Sequence, residues 1–255
     1  MLEVNFSEFF KGKNIIYFKT LDSTQSYALE LISKNKPNDK TAILTYNQSK
    51  GRGQLGAKWL SEPGENICLS VVVYPKYLNS DQQFLLSQMS ALAVFKFIKE
   101  FTQADVKIKW PNDILVNEQK IAGILINNTL QGAKITSTVV GIGVNINQSV
   151  FADELPNAIS LSALEGRKFD LKEMVISLYE SFELFYEMLT SGNHQQIQSM
   201  YLNHLFGLNQ RRSFTLANST VIEGVIRGVQ QDGRLIVEMS GAFKTFDIRE
   251  LKTNL

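Results

Sequence analysis

The stretch KIKWPNDILVNEQKIAGILI, from Lys107 to Ile126, decides the fold because short apolar runs alternate in it with turn-forming residues. Its runs KIKW, ILVN and KIAGILI are rich in β-forming residues, and Pro-Asn-Asp and Asn-Glu-Gln separate them. Runs of this kind, bounded by turn residues, are typical of strands joined by short connections. Together with STVVGIGVNIN, at Ser137–Asn147, they predict a β-meander.

Polar side chains crowd the ends of these apolar runs. Lys109, Asn112, Asp113 and Lys120 all lie where a run begins or ends. Pro111 holds the residue before it in an extended conformation and begins a turn, from which the Asn and Asp project. Two structural alternatives remain open, because Pro-Asn-Asp is ordinary turn chemistry and Lys120 can be a strand-edge lysine.

A second informative stretch is QSKGRGQLGAKW, Gln48–Trp59, with three glycines, two lysines and one arginine. Such a loop can bring bare backbone close to an anion. Its glycines fit the spacing G-x-G-x-x-G, but the turn at Pro63 leaves no room for a helix, which excludes a dinucleotide fingerprint. A phosphate-binding P-loop is excluded because Ala57, not lysine, follows Gly56. A solvated surface turn remains the structural alternative.

The third stretch, VVGIGVNIN at Val139–Asn147, places two glycines in an apolar strand. Gly141 and Gly143 predict either a β-bulge or the close approach of a ligand. Asn145 points to the face opposite its neighbours, and if that face is buried its amide needs a partner. A ligand contact and a structural hydrogen bond are both open for it.

Length and composition limit the classes of protein to which the chain can belong. The chain of 255 residues is 44% hydrophobic, which suits one large domain, or one large and one small. Its net charge of +1 gives no sign of a nucleic-acid-binding surface. The single cysteine, Cys68, rules out an internal disulfide framework, and two histidines give a His-based metal site or a Ser-His-Asp triad little material. Because the sequence has neither a membrane-length apolar run nor a signal-peptide core, a soluble cytoplasmic protein is expected.

The rest of the chain predicts alternating strands and helices. A strand at Lys13–Thr20 precedes a helix capped by Asp22 or Ser23, and the strands TAILTY and ICLSVVVY flank the glycine-rich loop. Helices are predicted for QQFLLSQMSALAVFKFIKEF, LKEMVISLYESFELFYEML and HQQIQSMYLNHLF. From about Arg211 only short alternating runs follow, which predict a small β-barrel packed on the main body.

Taken together, these motifs resemble the biotin protein ligase family. LDSTQ at Leu21–Gln25, the glycine-rich stretch, KWPNDI, KIAGIL and GIGVNIN occur in the family's order and span essentially the whole chain. KWPND followed seven residues after its aspartate by KIAGIL is the specific part of the match, whereas LDST alone would be weak. The resemblance implies an α+β fold. It comprises a class II synthetase-like catalytic domain at residues 1–208, with a mixed or antiparallel sheet flanked by helices, and a small SH3-like β-barrel at residues 209–255.

Members of that family activate biotin with MgATP to give biotinyl-5′-AMP and pyrophosphate. They then pass the biotinyl group to one lysine of the biotin carboxyl carrier domain of a carboxylase. The resemblance therefore implies an ATP-dependent, AMP-forming ligase with ATP and Mg²⁺ as co-substrate, biotin as substrate and no tightly bound metal. It implies a carrier domain as partner and leaves a homodimer as one candidate assembly. The near-neutral charge and the lack of a membrane-length apolar run predict that neither nucleic acid nor a membrane is a partner.

The resemblance also implies roles for individual residues. Lys120, Arg52 and Asp113 are the expected catalytic residues, and Asp113 is a candidate Mg²⁺ ligand or proton acceptor. The expected biotin-binding residues are Ser23, Thr24, Gln25, Gln48, Gly51, Arg52, Gly53, Gln54, Trp59, Lys120 and Gly123. The expected ATP- or adenylate-binding residues are Arg52, Gln54, Trp59, Asn112, Asp113, Lys120, Gly143 and Asn145. Ser23 and Thr24 can also cap their helix.

The chain departs from the family's pattern at three positions. Gln54 stands where many members have a second arginine, and Ala57 where many have another basic residue. Gln54 can donate a neutral hydrogen bond but cannot pair with a phosphate as arginine does. Lys50 and Lys58 are candidates to compensate. Asn127 replaces a frequent glutamate, and weaker binding or faster release of the adenylate is a candidate consequence.

Three rival functions fit parts of the same pattern. A lipoate or octanoate ligase or transferase has a related catalytic domain, but a linear acyl chain needs an apolar tunnel rather than the polar side chains of Ser23, Thr24 and Gln48. A DNA-binding regulator needs an N-terminal winged helix, and the first predicted strand begins near Lys13, which leaves no space for one. A non-catalytic interaction module is disfavoured by the intact catalytic set.

Overall fold

A seven-stranded mixed sheet organises the larger part of the protein; the computed structural model describes residue 10 and residues 12–255. Its strands are β1 (Ile15–Phe18), β2 (Thr41–Thr45), β3 (Ile67–Val73), β4 (Val106–Lys109), β5 (Asp113–Val116), β6 (Gln119–Gln131) and β7 (Lys134–Val144). They run in the order β1-β2-β3-β7-β6-β5-β4. Strands β1 and β2 are parallel and the other neighbours are antiparallel. The mixed sheet is confirmed.

Strands β4 to β7 form the meander that the opening stretch predicts. Each is the neighbour of the next along the chain. Asn117 and Glu118, which join β5 to β6, both have positive φ, as a tight two-residue hairpin of the primed type requires. The Trp110–Pro111 peptide is cis and leads into β5. The meander brings the start of β5, the start of β6 and the end of β7 side by side, so the polar residues of the first and third stretches lie close together.

Helices cover both faces of this sheet. They are α1 (Thr24–Asn35), α2 (Phe84–Lys99), α3 (Leu161–Glu165), α4 (Leu171–Thr190) and α5 (His194–Asn203). Side chains alternate between the two faces of a strand. Ile43 of β2 therefore joins the small apolar cluster under α1, whereas Ala42 and Leu44 join the main core with α2 and α4. Ser23 caps α1 as expected, and α3 was not predicted.

A second sheet forms the C-terminal part. Its strands are β8 (Arg211–Leu216), β9 (Val221–Val229), β10 (Leu235–Met239), β11 (Ala242–Phe246) and β12 (Leu251–Thr253). They run in the order β11-β10-β9-β8-β12, all antiparallel, with β11 and β12 as the two edges. This sheet is not closed on itself, so the expected SH3-like barrel is not confirmed. Strand β12 was missed by the sequence pattern.

The C-terminal sheet packs on the larger part, as expected for a piece with little core of its own. Phe214 and Leu235 belong to the same apolar core as the seven-stranded sheet. The Trp110 indole N–H donates to the Gly233 carbonyl at 2.8 Å, which ties the β9–β10 turn to the start of β5. In the described part of the chain, no helix has the length and apolar character needed to cross a membrane.

Candidate active site

A cavity of about 350 Å³ lies on the α1 side of the sheet, between the start of α1, the glycine-rich loop and β12. Most of the residues expected to bind substrates line this cavity. They are Ser23, Thr24, Gln25, Gln48, Arg52, Gly53, Gln54, Trp59, Asn112, Asp113, Lys120, Gly123 and Gly143. The three motifs, which are far apart in the chain, therefore converge on one space.

Two of the expected residues, Gly51 and Asn145, are not part of that lining. A side chain at Gly51 would come within 2.2 Å of the Trp59 carbonyl oxygen, so the glycine lets the two limbs of the loop approach each other. The Asn145 side chain is buried and donates to the Ile159 carbonyl at 3.1 Å. The structural hydrogen bond is thus present, and a ligand contact for either residue stays a prediction.

The glycine-rich loop folds back on itself. Gly53 N–H donates to the Ala57 carbonyl at 2.7 Å, and Trp59 N–H donates to the Gly51 carbonyl at 3.0 Å. Only a single 3₁₀ turn, Gln54–Gly56, lies between them. The absence of a helix at the third glycine, on which the exclusion of a dinucleotide fingerprint rests, is therefore confirmed.

The two lysines of the loop point to different places. Lys50 lies outside the cavity lining and pairs with Asp22, at 2.9 Å. Lys58 lines the cavity, on the limb of the loop opposite Arg52. Of the two candidates to compensate for Gln54, only Lys58 therefore faces the site.

One end of the cavity is neutral and hydrogen-bonded throughout. The Gln48 side-chain oxygen accepts from the Thr24 N–H at 2.8 Å and from the Thr24 hydroxyl at 3.2 Å. The buried Ser70 hydroxyl lies 2.8 Å from the Thr24 hydroxyl and 3.1 Å from the Gln25 Oε1. Because its oxygen is used, Gln48 offers its NH₂ group to a ligand. Ser70 was not among the predicted residues, since a serine in an apolar strand gives no signal of its own.

Gln25 is held by the protein rather than left free for a ligand. Its NH₂ group donates to the Asn127 side-chain oxygen at 2.9 Å and to the Val139 carbonyl at 3.1 Å. Its Oε1 lies 2.3 Å from where a side chain on Gly141 would begin. Gln25 thus makes a close approach at Gly141, and the strand has no bulge there. Gly141 also lines the cavity, so its approach by a ligand stays a prediction.

Cross-strand register explains the second glycine. Cys68, Gly143, Gly123 and Asp113 are successive partners across β3, β7, β6 and β5, so their side chains share one face. The Trp59 indole lies over the two glycines, and its Cε2 is only 2.4 Å from the point where a side chain on Gly143 would begin. Trp59 therefore fills the space above Gly143. Burial raises the pKa of the Cys68 thiol to about 12, which disfavours the thiolate and with it a nucleophilic role.

The other end of the cavity is charged. Asp113 lies between two ammonium groups, with Lys120 Nζ at 2.6 Å and Lys109 Nζ at 3.8 Å. Burial lowers the pKa of Lys109 below its ordinary value, and the neighbouring Asp113 carboxylate offsets part of that effect. Lys120 Nζ also lies 5.9 Å from the centre of the Trp59 ring. Lys252, from the unpredicted strand β12, completes the cationic lining.

This arrangement can bind a molecule that is neutral and polar at one end and anionic at the other. Asp113 is the acidic side chain that lines the cavity, against the cations Arg52, Lys58, Lys120 and Lys252. Within residues 12–255, no group of three or more His, Cys, Asp or Glu side chains is placed to hold a metal. A carboxylate already paired with two lysines is a poor resident metal site, so the residues suit Mg²⁺ only as a companion of a phosphate-bearing substrate.

Comparison with known proteins agrees with this geometry. Residues 17–145 match the sequence model of the biotin/lipoate A/B protein ligase family. The chain is 31% identical over 237 residues to the bifunctional ligase/repressor BirA of Bacillus subtilis, covering 91% of this chain and 72% of that protein. It is 29% identical over 226 residues to a biotin–[acetyl-CoA-carboxylase] ligase of Paracoccus denitrificans, covering 85% of this chain and 90% of that one.

Among solved structures, the chain is similar to a biotin protein ligase from Aquifex aeolicus in complex with biotin and ATP. The TM-score is 0.78 at 26% sequence identity, and the match covers 95% of this chain and 99% of that one. The similarity therefore extends over the C-terminal sheet as well as the larger part.

Proposed function

Because this chain belongs to the biotin/lipoate A/B protein ligase family, we propose that it is a biotin protein ligase. It activates biotin with MgATP to biotinyl-5′-AMP and transfers the biotinyl group to a specific lysine of a biotin carboxyl carrier domain. One observation carries the proposal: a single cavity joins a neutral hydrogen-bonding end to a cluster of cations around Asp113 and Lys120.

The neutral end suits the ureido ring of biotin. A ureido group is uncharged and needs donors for its carbonyl and acceptors for its two N–H groups. Gln48 presents its NH₂ group as a donor, and the hydroxyls of Ser23 and Thr24 can accept or donate. Behind them, Gln25 contacts Ser70, Ser70 contacts Thr24, and Thr24 in turn contacts Gln48. Gln25 therefore contributes to binding by supporting the residues that touch the ring.

The charged end suits the first chemical step. In that step a carboxylate oxygen of biotin attacks the α-phosphorus of ATP and pyrophosphate leaves. Two anions must meet, and a fixed cation between them offsets their repulsion and stabilises the charge that develops. We assign this role to Lys120, which lines the cavity together with Arg52. Trp59 offers the adenylate a flat apolar surface beside Lys120.

The second step needs a route for a cationic acceptor. The lysine amine attacks the acyl carbon, the bond from that carbon to the phosphate oxygen breaks, and AMP leaves with its electron pair. A second cavity of about 240 Å³ shares Gln54, Asn112 and Ile124 with the first. Its charged lining residues, Asp232 and Asp247, are both acidic. Their charge favours the approach of an ammonium group to a site that is otherwise cationic.

Asp113 has two alternative roles, and Lys58 and Lys252 share a third. Asp113 either accepts the proton that the acceptor lysine must lose or helps to hold Mg²⁺ on the phosphates, and both require it to leave Lys120. Lys58 and Lys252 line the cavity and supply the positive charge that Gln54 and Ala57 lack. Lys252 would make the C-terminal sheet part of the phosphate site.

The remaining expectations are proposals of the same kind. Residues 1–208 form the catalytic domain and residues 209–255 a small C-terminal domain of SH3-like type. The protein works in the cytoplasm on a carboxylase, without nucleic acid, and a homodimer is one candidate assembly. A lipoate or octanoate ligase or transferase is the alternative, but the polar contacts of Thr24, Gln48 and Ser70 favour a ureido ring over a linear acyl chain.

The decisive experiment uses the purified protein with biotin, MgATP and an unmodified biotin carrier domain. We expect the intact mass of the carrier to increase by one biotinyl group, on the acceptor lysine. A carrier with that lysine replaced by arginine is the matched control and should not change. Octanoate in place of biotin tests the alternative: if octanoate is transferred and biotin is not, the proposed substrate is wrong.

A further inference from the structure

Lys109 belongs to the charged cluster around Asp113 but does not line the cavity, so direct contact with a ligand there does not explain its position. It lies at the end of β4 and is the cross-strand partner of Asp113 in β5. Its side chain is 10% exposed, against 17% for Asp113 and 37% for Lys120. Asp113 and Lys120 line the cavity, but Lys109 does not. A buried lysine carries a desolvation cost, so its placement behind a single carboxylate calls for a reason.

The Asp113 carboxylate has one cation on each side. Lys120 is closer, at 2.6 Å from Oδ1, and Lys109 is 3.8 Å from Oδ2. If a ligand phosphate takes Lys120, the first of these ion pairs must weaken, because the phosphate and the carboxylate compete for the same ammonium group. The second pair involves the other carboxylate oxygen and need not change.

We propose that Lys109 is a positioning residue that holds and compensates Asp113 when Lys120 turns to the phosphate of an adenylate. This inference rests on the proposed function. Without Lys109, Asp113 would have Lys120 as its remaining close partner among the described residues. An arriving phosphate would then have to displace a carboxylate that has no second ion-pair partner, and would lie beside its uncompensated charge. Lys109 therefore lets one lysine serve two anions in turn.

The inference separates ligands by charge. A ligand that carries a phosphate at this position should depend on Lys109, whereas a ligand that reaches only the neutral end should not. The test uses two biotinyl-adenylate analogues that differ only in their linker, one with the phosphate and one with an uncharged linker, together with biotin amide. Dissociation constants are measured by calorimetry on the full chain.

For Lys109→Met, we expect the phosphate-bearing analogue to bind about 10- to 100-fold more weakly, since loss of one partner of a desolvated charge pair typically costs at least a tenfold factor. The uncharged analogue and biotin amide should change less than about threefold. Lys107→Met is the matched control, because it removes the same charge from the same strand, where Lys107 pairs with Asp105 outside the cavity. It should leave all three ligands unchanged.

A double variant distinguishes this role from a structural one. In Lys109→Met/Asp113→Asn both charges are gone, so the phosphate-bearing analogue should bind as it does to Asp113→Asn alone. This comparison also applies if Lys109→Met alone does not fold. Equal weakening of all three ligands by Lys109→Met, or additive losses in the double variant, would overturn the inference. If the wild-type protein binds neither biotin amide nor the analogues, the proposed function itself has failed.

Discussion

The two ends of the cavity hold their side chains in opposite ways. At the neutral end, Thr24, Gln25 and Ser70 are buried and linked by hydrogen bonds through the Ser70 hydroxyl. The charged side chains of the cavity are held less firmly: Arg52 is exposed and makes one long contact, 3.4 Å to the Ser26 hydroxyl, and Lys120 is paired with Asp113.

The difference follows from the cost of burying each kind of group. Neutral polar groups can be buried cheaply when each has a partner, whereas a cation must keep either water or a counter-ion. The neutral end can therefore be rigid and selective in advance. The charged side chains stay exchangeable, because the ion pair of Lys120 with Asp113 can be replaced by a pair with an anionic substrate. A substitution at one end should therefore leave ligand binding at the other end unchanged, so the unaffected end serves as the control.

The largest effect is expected at Lys120. Lys120→Ala removes the cation nearest Asp113, and loss of one preorganised charge at a reacting centre typically lowers the rate by about 10²–10³-fold. Pyrophosphate release with biotin and MgATP should fall by that factor, while biotin amide should bind within about threefold of wild type. Lys107→Ala serves as the control for removal of a lysine. Release near the wild-type rate from a folded Lys120→Ala variant would contradict the assignment.

Substitution of the two glycines of β7 should disturb the two ends of the cavity separately. In Gly141→Ala the new methyl group would begin 2.3 Å from the Gln25 Oε1, and in Gly143→Ala it would begin 2.4 Å from the Trp59 Cε2. Overpacking of this kind typically costs about 1–3 kcal/mol. We expect Gly141→Ala to weaken biotin amide about tenfold, because it disturbs the hydrogen bonds behind Thr24. Gly143→Ala should mainly weaken the phosphate-bearing analogue, because it displaces the indole beside Lys120.

Calorimetry with both ligands, together with thermal unfolding, checks this pair of variants. The two substitutions lie two residues apart on one strand and add the same methyl group, so each is the other's control. If both weaken the two ligands in the same ratio, the division of the cavity into two ends is wrong.

A smaller effect is expected at Ser70. Ser70→Ala removes a hydroxyl that lies 2.8 Å from the Thr24 hydroxyl, and leaving buried groups unpaired costs about 1–3 kcal/mol of the free energy of unfolding. Affinity for biotin amide should fall several-fold. Ser90→Ala removes another buried serine hydroxyl, bonded to the Leu86 carbonyl in α2. It should lower stability similarly without changing biotin affinity, and an equal loss of affinity in both variants would count against Ser70.

The smallest difference between the two ends of the cavity is expected in the dependence of ligand binding on ionic strength. Interactions of exposed charges are largely screened beyond about 10 Å at 0.1 M salt and at shorter range as salt rises. Binding of the phosphate-bearing analogue should weaken several-fold between low and high NaCl, because Arg52 and Lys58 are exposed. Biotin amide, which carries no charge, should bind with little change. The same salt dependence for both ligands would show that the neutral end is not as independent as proposed.

Much of the fold and of the site could be predicted from order and spacing along the chain. The meander and the Ser23 cap follow from local rules: turn residues between apolar runs and a capping hydroxyl before a helix. The convergence of the three motifs on one site was expected only from their resemblance to the biotin protein ligase family. Such local signals depend only on residues that are neighbours in the chain, so they can be recognised in a single sequence. The same reasoning failed where an element was too short to have a period, as in α3 and in β12, which brings Lys252 to the cavity.

The sequence by itself determined which residue types were available: a loop with Arg52 and little side-chain bulk, a lysine after a tight hairpin, and a carboxylate after Pro111. Only the tertiary structure decided what each of them meets. Cross-strand register placed Lys109 behind Asp113, and the packing of α1 and the loop put Gln25 and Trp59 into the space above Gly141 and Gly143. These contacts join residues far apart in the chain, and their energies depend on burial and partnership, which no local pattern encodes.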